Sequence, residues 1–151
     1  MPLSGRFSDL GAKTGHGFGA PTNYHDHSGV QADEELAFDP VALQHLVAWF
    51  VRTEAALRVL APRETPVLWP EHFDIAILLG GHSVGTSPGD DFCPTPYAYV
   101  GDTTRSRDDY WNAPFGAYLA DDQVPSIGEL VAFWTDGLRR LDVAPSTYRI
   151  R

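Results

Sequence analysis

The chain has a single cysteine, Cys93, so no disulfide can close within it. That usage fits a reducing cytosol, and a cytoplasmic location is expected. No apolar run approaches the roughly 18 residues that span a bilayer, and residues 1–8 hold no apolar core of a secretory signal. Positive charge is scarce: 11 basic residues stand against 20 acidic ones, for a net charge of −9. Such a field repels phosphate backbones and anionic membrane surfaces. The only adjacent basic pair, Arg139-Arg140, falls inside a predicted helix. Neither nucleic acid nor a membrane is therefore expected as a partner.

What is present suffices for one core without metal or disulfide support, in 151 residues of ordinary apolar content. Residues 1–38 read as a Gly-rich N-terminal arm, with Gly5, Gly11, Gly15, Gly17, Gly19 and Gly29 among few large apolar side chains. Such a segment buries no core alone, though it can wrap a domain or add an edge strand near Phe18. Residues 39–151 read as a single α+β domain. Asp39 is a good N-cap and Pro40 suits the first helical position. Leu43, Leu46, Val47, Phe50, Leu57 and Leu60 follow as an apolar stripe, interrupted at Thr53 and Glu54 and ended by Pro62. Ser126 with Glu129 forms a capping box for a second helix, whose stripe is Ile127, Leu130, Val131, Trp134, Leu138 and Leu141. Between the helices, residues 66–69, 72–79, 96–101 and, more weakly, 115–119 read as strands. Residues 80–95 read as one long loop, of a length that is usually functional or mobile. The order helix, strands, helix predicts a small antiparallel sheet with both helices on one face.

Gly81-His82-Ser83-Val84-Gly85 spells G-x-S-x-G after an apolar run, like the nucleophile elbow of an α/β-hydrolase. The rest of the chain opposes that reading. The base histidine should follow the serine, yet no histidine lies beyond position 82. Pro88 and Gly89 occupy the place where the elbow's helix should begin. Phosphate-binding motifs also fail. Lys13-Thr14 lacks its preceding glycine, and Gly15, Gly17 and Gly19 are wrongly spaced for a dinucleotide loop.

Three groups of residues are candidates for chemistry. His25 and His27 alternate in one segment, and His72 and Asp74 share one face of a predicted strand that, if continued, brings His82 to it. Imidazoles and a carboxylate are the usual ligands of zinc or non-haem iron, so these five residues form a candidate divalent-metal site. The plainer alternative is a hydrogen-bonded His-x-Asp pair that ends a sheet. Asp90 and Asp91 are candidates for acid/base work if burial raises one pKa, although Ser87-Pro88-Gly89-Asp90 is also an ordinary turn. Trp69, Tyr97, Tyr99 and Trp111 are candidate ligand-binding aromatics, with core packing as their alternative.

Four segments together carry a resemblance: Trp69-Pro70-Glu71-His72-Phe73-Asp74, Ser87-Pro88-Gly89-Asp90-Asp91, Pro96-Tyr97-Ala98-Tyr99-Val100-Gly101 and Trp111-Asn112. In this order, and over roughly residues 39–141, the chain resembles a family of uncharacterised bacterial proteins with no assigned activity. Members of that family look longer at the N-terminus, with strand-like segments where this chain has its Gly-rich arm. The resemblance therefore implies that a homo-oligomer or a partner completes the sheet. The preferred function is a small-molecule binding or accessory domain. The alternatives are a small metal-dependent enzyme built on the His/Asp cluster and a module that self-associates through an exposed sheet face.

Overall fold

Phe7–Thr14 forms a helix, α1, that no apolar stripe announces, because none of its residues is buried. Its ends are nonetheless well made. Asp9 Oδ2 accepts from the Arg6 N–H at 2.9 Å, and Gly15 closes the helix at a φ of 74°, the left-handed conformation glycine adopts freely. Arg6 bridges to Glu35, and Leu36 N–H donates to the Gly5 carbonyl at 2.8 Å. The segment read as an arm thus contains a helix, while Phe18 lies outside the described residues. The computed structural model describes residues 5–15, 29–70 and 72–143. The chain divides into two compact units, Met1–Leu43 and Gln44–Arg151.

The second helix, α2, runs Pro40–Leu60. Its start is the predicted one, with Val41 N–H donating to Asp39 Oδ1 at 2.8 Å. The buried face differs from the predicted stripe by a fraction of a turn. It consists of Trp49, Thr53, Ala56, Leu57 and Leu60, and Val47 is 54% exposed instead. Thr53 is no gap in that face. Its hydroxyl lies 2.9 Å from the Thr86 hydroxyl, so two fully buried polar groups satisfy each other.

Five strands follow: β1 (Val67–Trp69), β2 (Asp74–Leu79), β3 (His82–Ser87), β4 (Tyr97–Gly101) and β5 (Gly116–Ala120). They pair in chain order as an antiparallel meander. A short 3-10 turn, Asp121–Gln123, leads to the last helix, α3 (Ile127–Arg140). The predicted capping box is present: Ser126 Oγ accepts from Glu129 N–H at 3.2 Å, and Glu129 Oε2 accepts from Ser126 N–H at 3.0 Å. The expected long loop is half strand. Gly80 and Gly81, at φ 58° and 87°, make the two-residue turn of a β2–β3 hairpin.

Because opposite residues share a face, the register sorts the sheet. Ile75, Ile77, Val84, Thr86, Ala98, Val100, Ala117 and Leu119 fall on one side. Most of them join Trp49, Leu57, Leu130, Trp134 and Leu138 in one core. α3 packs on β4 at Gly137, where an added Cβ would lie 2.8 Å from Val100 Cγ2. The fold of the second unit is α+β with both helices on one face of the sheet, as predicted. Asp74, Ala76, Ser83, Gly85, Ser87, Tyr97, Tyr99 and Tyr118 fall on the other side. Among the described residues, no helix is long and apolar enough to cross a membrane.

Candidate functional site

On the face of the sheet opposite α2 and α3, the central residues are small. Gly85 on β3 pairs with Ala76 on one side and Tyr99 on the other. A Cβ at Gly85 would overlap the Ile75 carbonyl oxygen and lie 2.6 Å from Ala76 Cβ. Nothing rises from β3 there, so the Tyr99 side chain crosses above it from β4 to β2. Its hydroxyl donates to Asp74 Oδ2 and lies 3.4 Å from Ser83 Oγ. Asp74 is 9% exposed. Its second oxygen, Oδ1, is buried and has no hydrogen-bond partner among the described residues. A buried acceptor left in that state is costly to the folded protein.

A second tyrosine–carboxylate pair flanks the first. Tyr97 donates to Asp90 Oδ2 at 2.6 Å, while Asp90 Oδ1 accepts from the Phe92 and Cys93 N–H groups at 2.9 and 3.1 Å. Asp90 is therefore a turn former, and it also fixes a cavity-lining ring. The turn brings Phe92 edge-on to Phe115 and Tyr118, each 4.9 Å away between ring centres, and Phe115 stacks on Tyr97 at 6.0 Å. Together these elements enclose an open cavity of about 840 Å³, lined by Asp74, Tyr97, Tyr99, Phe92, Phe115, Asp90 and their neighbours.

Burial raises the Tyr99 and Tyr97 hydroxyls well above their ordinary value of 10.0, and the hydrogen bonds to Asp74 and Asp90 raise them further. Both stay neutral donors at physiological pH. In the unfolded chain they titrate near 10. Above that pH the unfolded state therefore holds fewer protons than the folded one, and stability is lost as pH rises. The melting temperature should fall steeply above about pH 10, and less steeply in Tyr99→Phe. Equal slopes in the two proteins would refute this account of Tyr99.

The predicted site residues divide clearly. His72, Asp74, Asp90, Asp91, Tyr97 and Tyr99 all line the cavity. His72 reaches it from a turn and not from the Asp74 strand face, because Phe73 has a φ of 56° and the strand starts at Asp74. His82 does not join them. The hairpin reverses the chain instead of continuing it, so His82 pairs with Leu79 at the far end of β3, with Nδ1 3.4 Å from the Gly101 carbonyl. His25 and His27 lie outside the described residues. Among the described residues, no group of three or more His, Cys, Asp or Glu side chains is placed to hold a metal ion. Trp69 pairs with Asp74 on the same sheet face but stands beside the cavity. Trp111 is a core residue, 5% exposed within the helix-side cluster. The Asp108 turn, which accepts its N–H at 2.7 Å, sets its backbone, and the Tyr110 ring packs against it at 5.0 Å. Ser83 sits within a strand and not at a strand-to-helix turn, so the elbow reading fails in the structure too.

Sequence reasoning misses Phe92 and Gly85. Phe92 gives no local signal, since a loop aromatic acquires its role only from the rings it meets. Gly85 does give one: a glycine inside an apolar, β-prone run marks close approach of another backbone. Comparison with protein-family models, curated proteins and solved structures finds no match to this chain.

Proposed function

We propose that the second unit is a small-molecule binding domain and that its site is the cavity on the sheet face opposite α2 and α3. The observation that carries this reading is the cavity itself, walled by the rings of Tyr97, Tyr99, Phe92 and Phe115 and lined by Asp74 and Asp90, each held by a tyrosine hydroxyl. The volume lies in the range typical of small-molecule sites, which combine apolar walls with a few fixed polar groups. The two tyrosine–carboxylate pairs hold those groups before any ligand arrives, which lowers the ordering cost of binding. Catalysis by covalent attack would need a nucleophile with a base in reach, and the Ser83 hydroxyl faces Tyr99 instead.

The test is a thermal-shift screen of the full chain against a fragment library of mixed charge, repeated on Phe92→Ala. Phe92 is 40% exposed, so its truncation should leave the fold intact while removing one wall. Hits should bind Phe92→Ala about tenfold more weakly, the equivalent of ~1.4 kcal/mol of aromatic contact. A screen without hits, or hits indifferent to Phe92→Ala, would overturn the reading.

A further inference from the structure

We infer that Phe73 is a specificity-determining wall of this cavity, set in place by a strained backbone, and that the ligand is elongated, two linked rings long. The inference rests on the binding reading above and adds a contact residue and a shape class. Among the described residues, two that are not glycine have a positive φ, Phe73 and Asp142, both at 56°. Asp142 is accounted for locally. It follows the last turn of α3, where a left-handed residue commonly ends a helix, and aspartate tolerates that conformation. Phe73 has no such account. A bulky side chain is an outlier in that region, and holding it there costs stability.

The fold does not recover the cost by burying the residue, because Phe73 is 49% exposed. Regular alternation would place it with Ile75 on the helix side of the sheet. The left-handed turn breaks the alternation just before β2 begins. The Phe73 ring then rests on Phe50 of α2, 5.8 Å away between centres, while the residue lines the cavity on the opposite face. A strained, half-exposed aromatic at the edge of a cavity is explained by what it meets there.

Its position also sets the length of the ligand. Tyr97 stands on β4 and Phe115 precedes β5, two and three strands from β2, about 10 and 14 Å away at the spacing of paired strands. Phe92 closes that far side by packing on both rings. One ring cannot touch both sides of such a span, and two linked rings can.

Two neutral probes test this, 4-methylphenol with one ring and 4-(benzyloxy)phenol with two. Titration calorimetry on the full chain should show the longer probe binding at least about tenfold tighter. Phe73→Ala should shrink that gap to about threefold or less, and Phe92→Ala should weaken both probes. Thermal unfolding tests the strain separately. Phe73→Gly should melt higher than Phe73→Ala, since glycine takes a φ of 56° freely, and both should lose the preference for the longer probe. Phe73→Ala melting as high as Phe73→Gly would overturn the strain on which the inference stands. Equal binding of the two probes, or a gap unchanged in Phe73→Ala, would overturn the role of Phe73. The binding site would survive either result as long as affinity still falls in Phe92→Ala. Binding by neither probe would also overturn the inference; Phe92-dependent fragment hits would then keep the site, and an empty screen would sink both.

Discussion

Gly85→Ala is expected to destabilise the second unit by about 3 kcal/mol or more, at the upper end of what one added methyl costs in a packed interior. The atoms that a Cβ would strike explain the size of the effect. They are the Ile75 carbonyl oxygen, which it would overlap, Ala76 Cβ at 2.6 Å and Ala76 Cα at 2.8 Å. No flexible side chain can give way there, and β2 is held between β1 and β3. Relief requires β2 and β3 to part, and their separation is set by the hydrogen-bonded ladder. Parting β2 from β3 would also carry Asp74 away from Tyr99 and break their bond. Loss of ligand response should therefore appear even at temperatures where the variant stays folded. Gly101→Ala is the matched control on the same sheet face. Its nearest contact would be the Ser83 carbonyl oxygen at 3.4 Å, and its cost should stay below about 1 kcal/mol. Urea unfolding of the two variants checks the claim; equal stability would mean that the close approach at Gly85 is not real.

How far the fold can be read in advance depends on how local its causes are. Asp39 and Ser126 announce their helices because a cap is an interaction over three residues. The alternation of Ile75, Ile77 and Leu79 announces β2 because one face of the strand meets a core. α1 is invisible for the converse reason, since a helix that buries nothing leaves no stripe. The β2–β3 hairpin escapes the sequence reading although Gly80-Gly81 between two strand-like runs is itself a turn signal. The overlapping G-x-S-x-G motif and the following Pro88 and Gly89 favour a loop instead. That single difference displaces His82, because a continued strand and a reversed one put it at opposite ends of the sheet.

The candidate site is half legible for a related reason. Tyr97 and Tyr99 share a face by simple alternation, and Asp74 stands out as a carboxyl in an apolar strand. Their meeting is a tertiary event. Tyr99 and Asp74 sit on β4 and β2, which are not neighbours, and they touch only because Gly85 on the strand between them has no side chain. Trp111 illustrates the opposite failure. An aromatic near a strand end can turn either way, and here the Asp108 turn commits it to the core.

Trp49→Ala should cost about 3–5 kcal/mol, the range for emptying a large buried aromatic site. Trp49 has no exposed surface, and the Arg52 guanidinium lies 4.9 Å from its ring centre. Its indole N–H donates to the Ser87 carbonyl at 3.1 Å. Ser87 ends β3, and its hydroxyl accepts from the Gly89 N–H at 3.1 Å at the start of the loop that carries Asp90 and Phe92. One tryptophan therefore fills the core and ties that loop to α2. The two roles separate on Trp49→Phe, which keeps most of the apolar volume but strands the Ser87 carbonyl. Its cost should exceed that of Trp134→Phe by about 1 kcal/mol or more. Trp134 is equally buried, but its indole nitrogen has no partner among the described residues to lose. Trp49→Phe should also weaken ligand binding, because the loop it anchors forms a wall of the cavity. Denaturant unfolding of the two variants under one condition gives the ranking. If Trp134→Phe proves the costlier, the Trp49–Ser87 hydrogen bond contributes little, and the loop must owe its position to Asp90 and the Phe92 ring cluster alone.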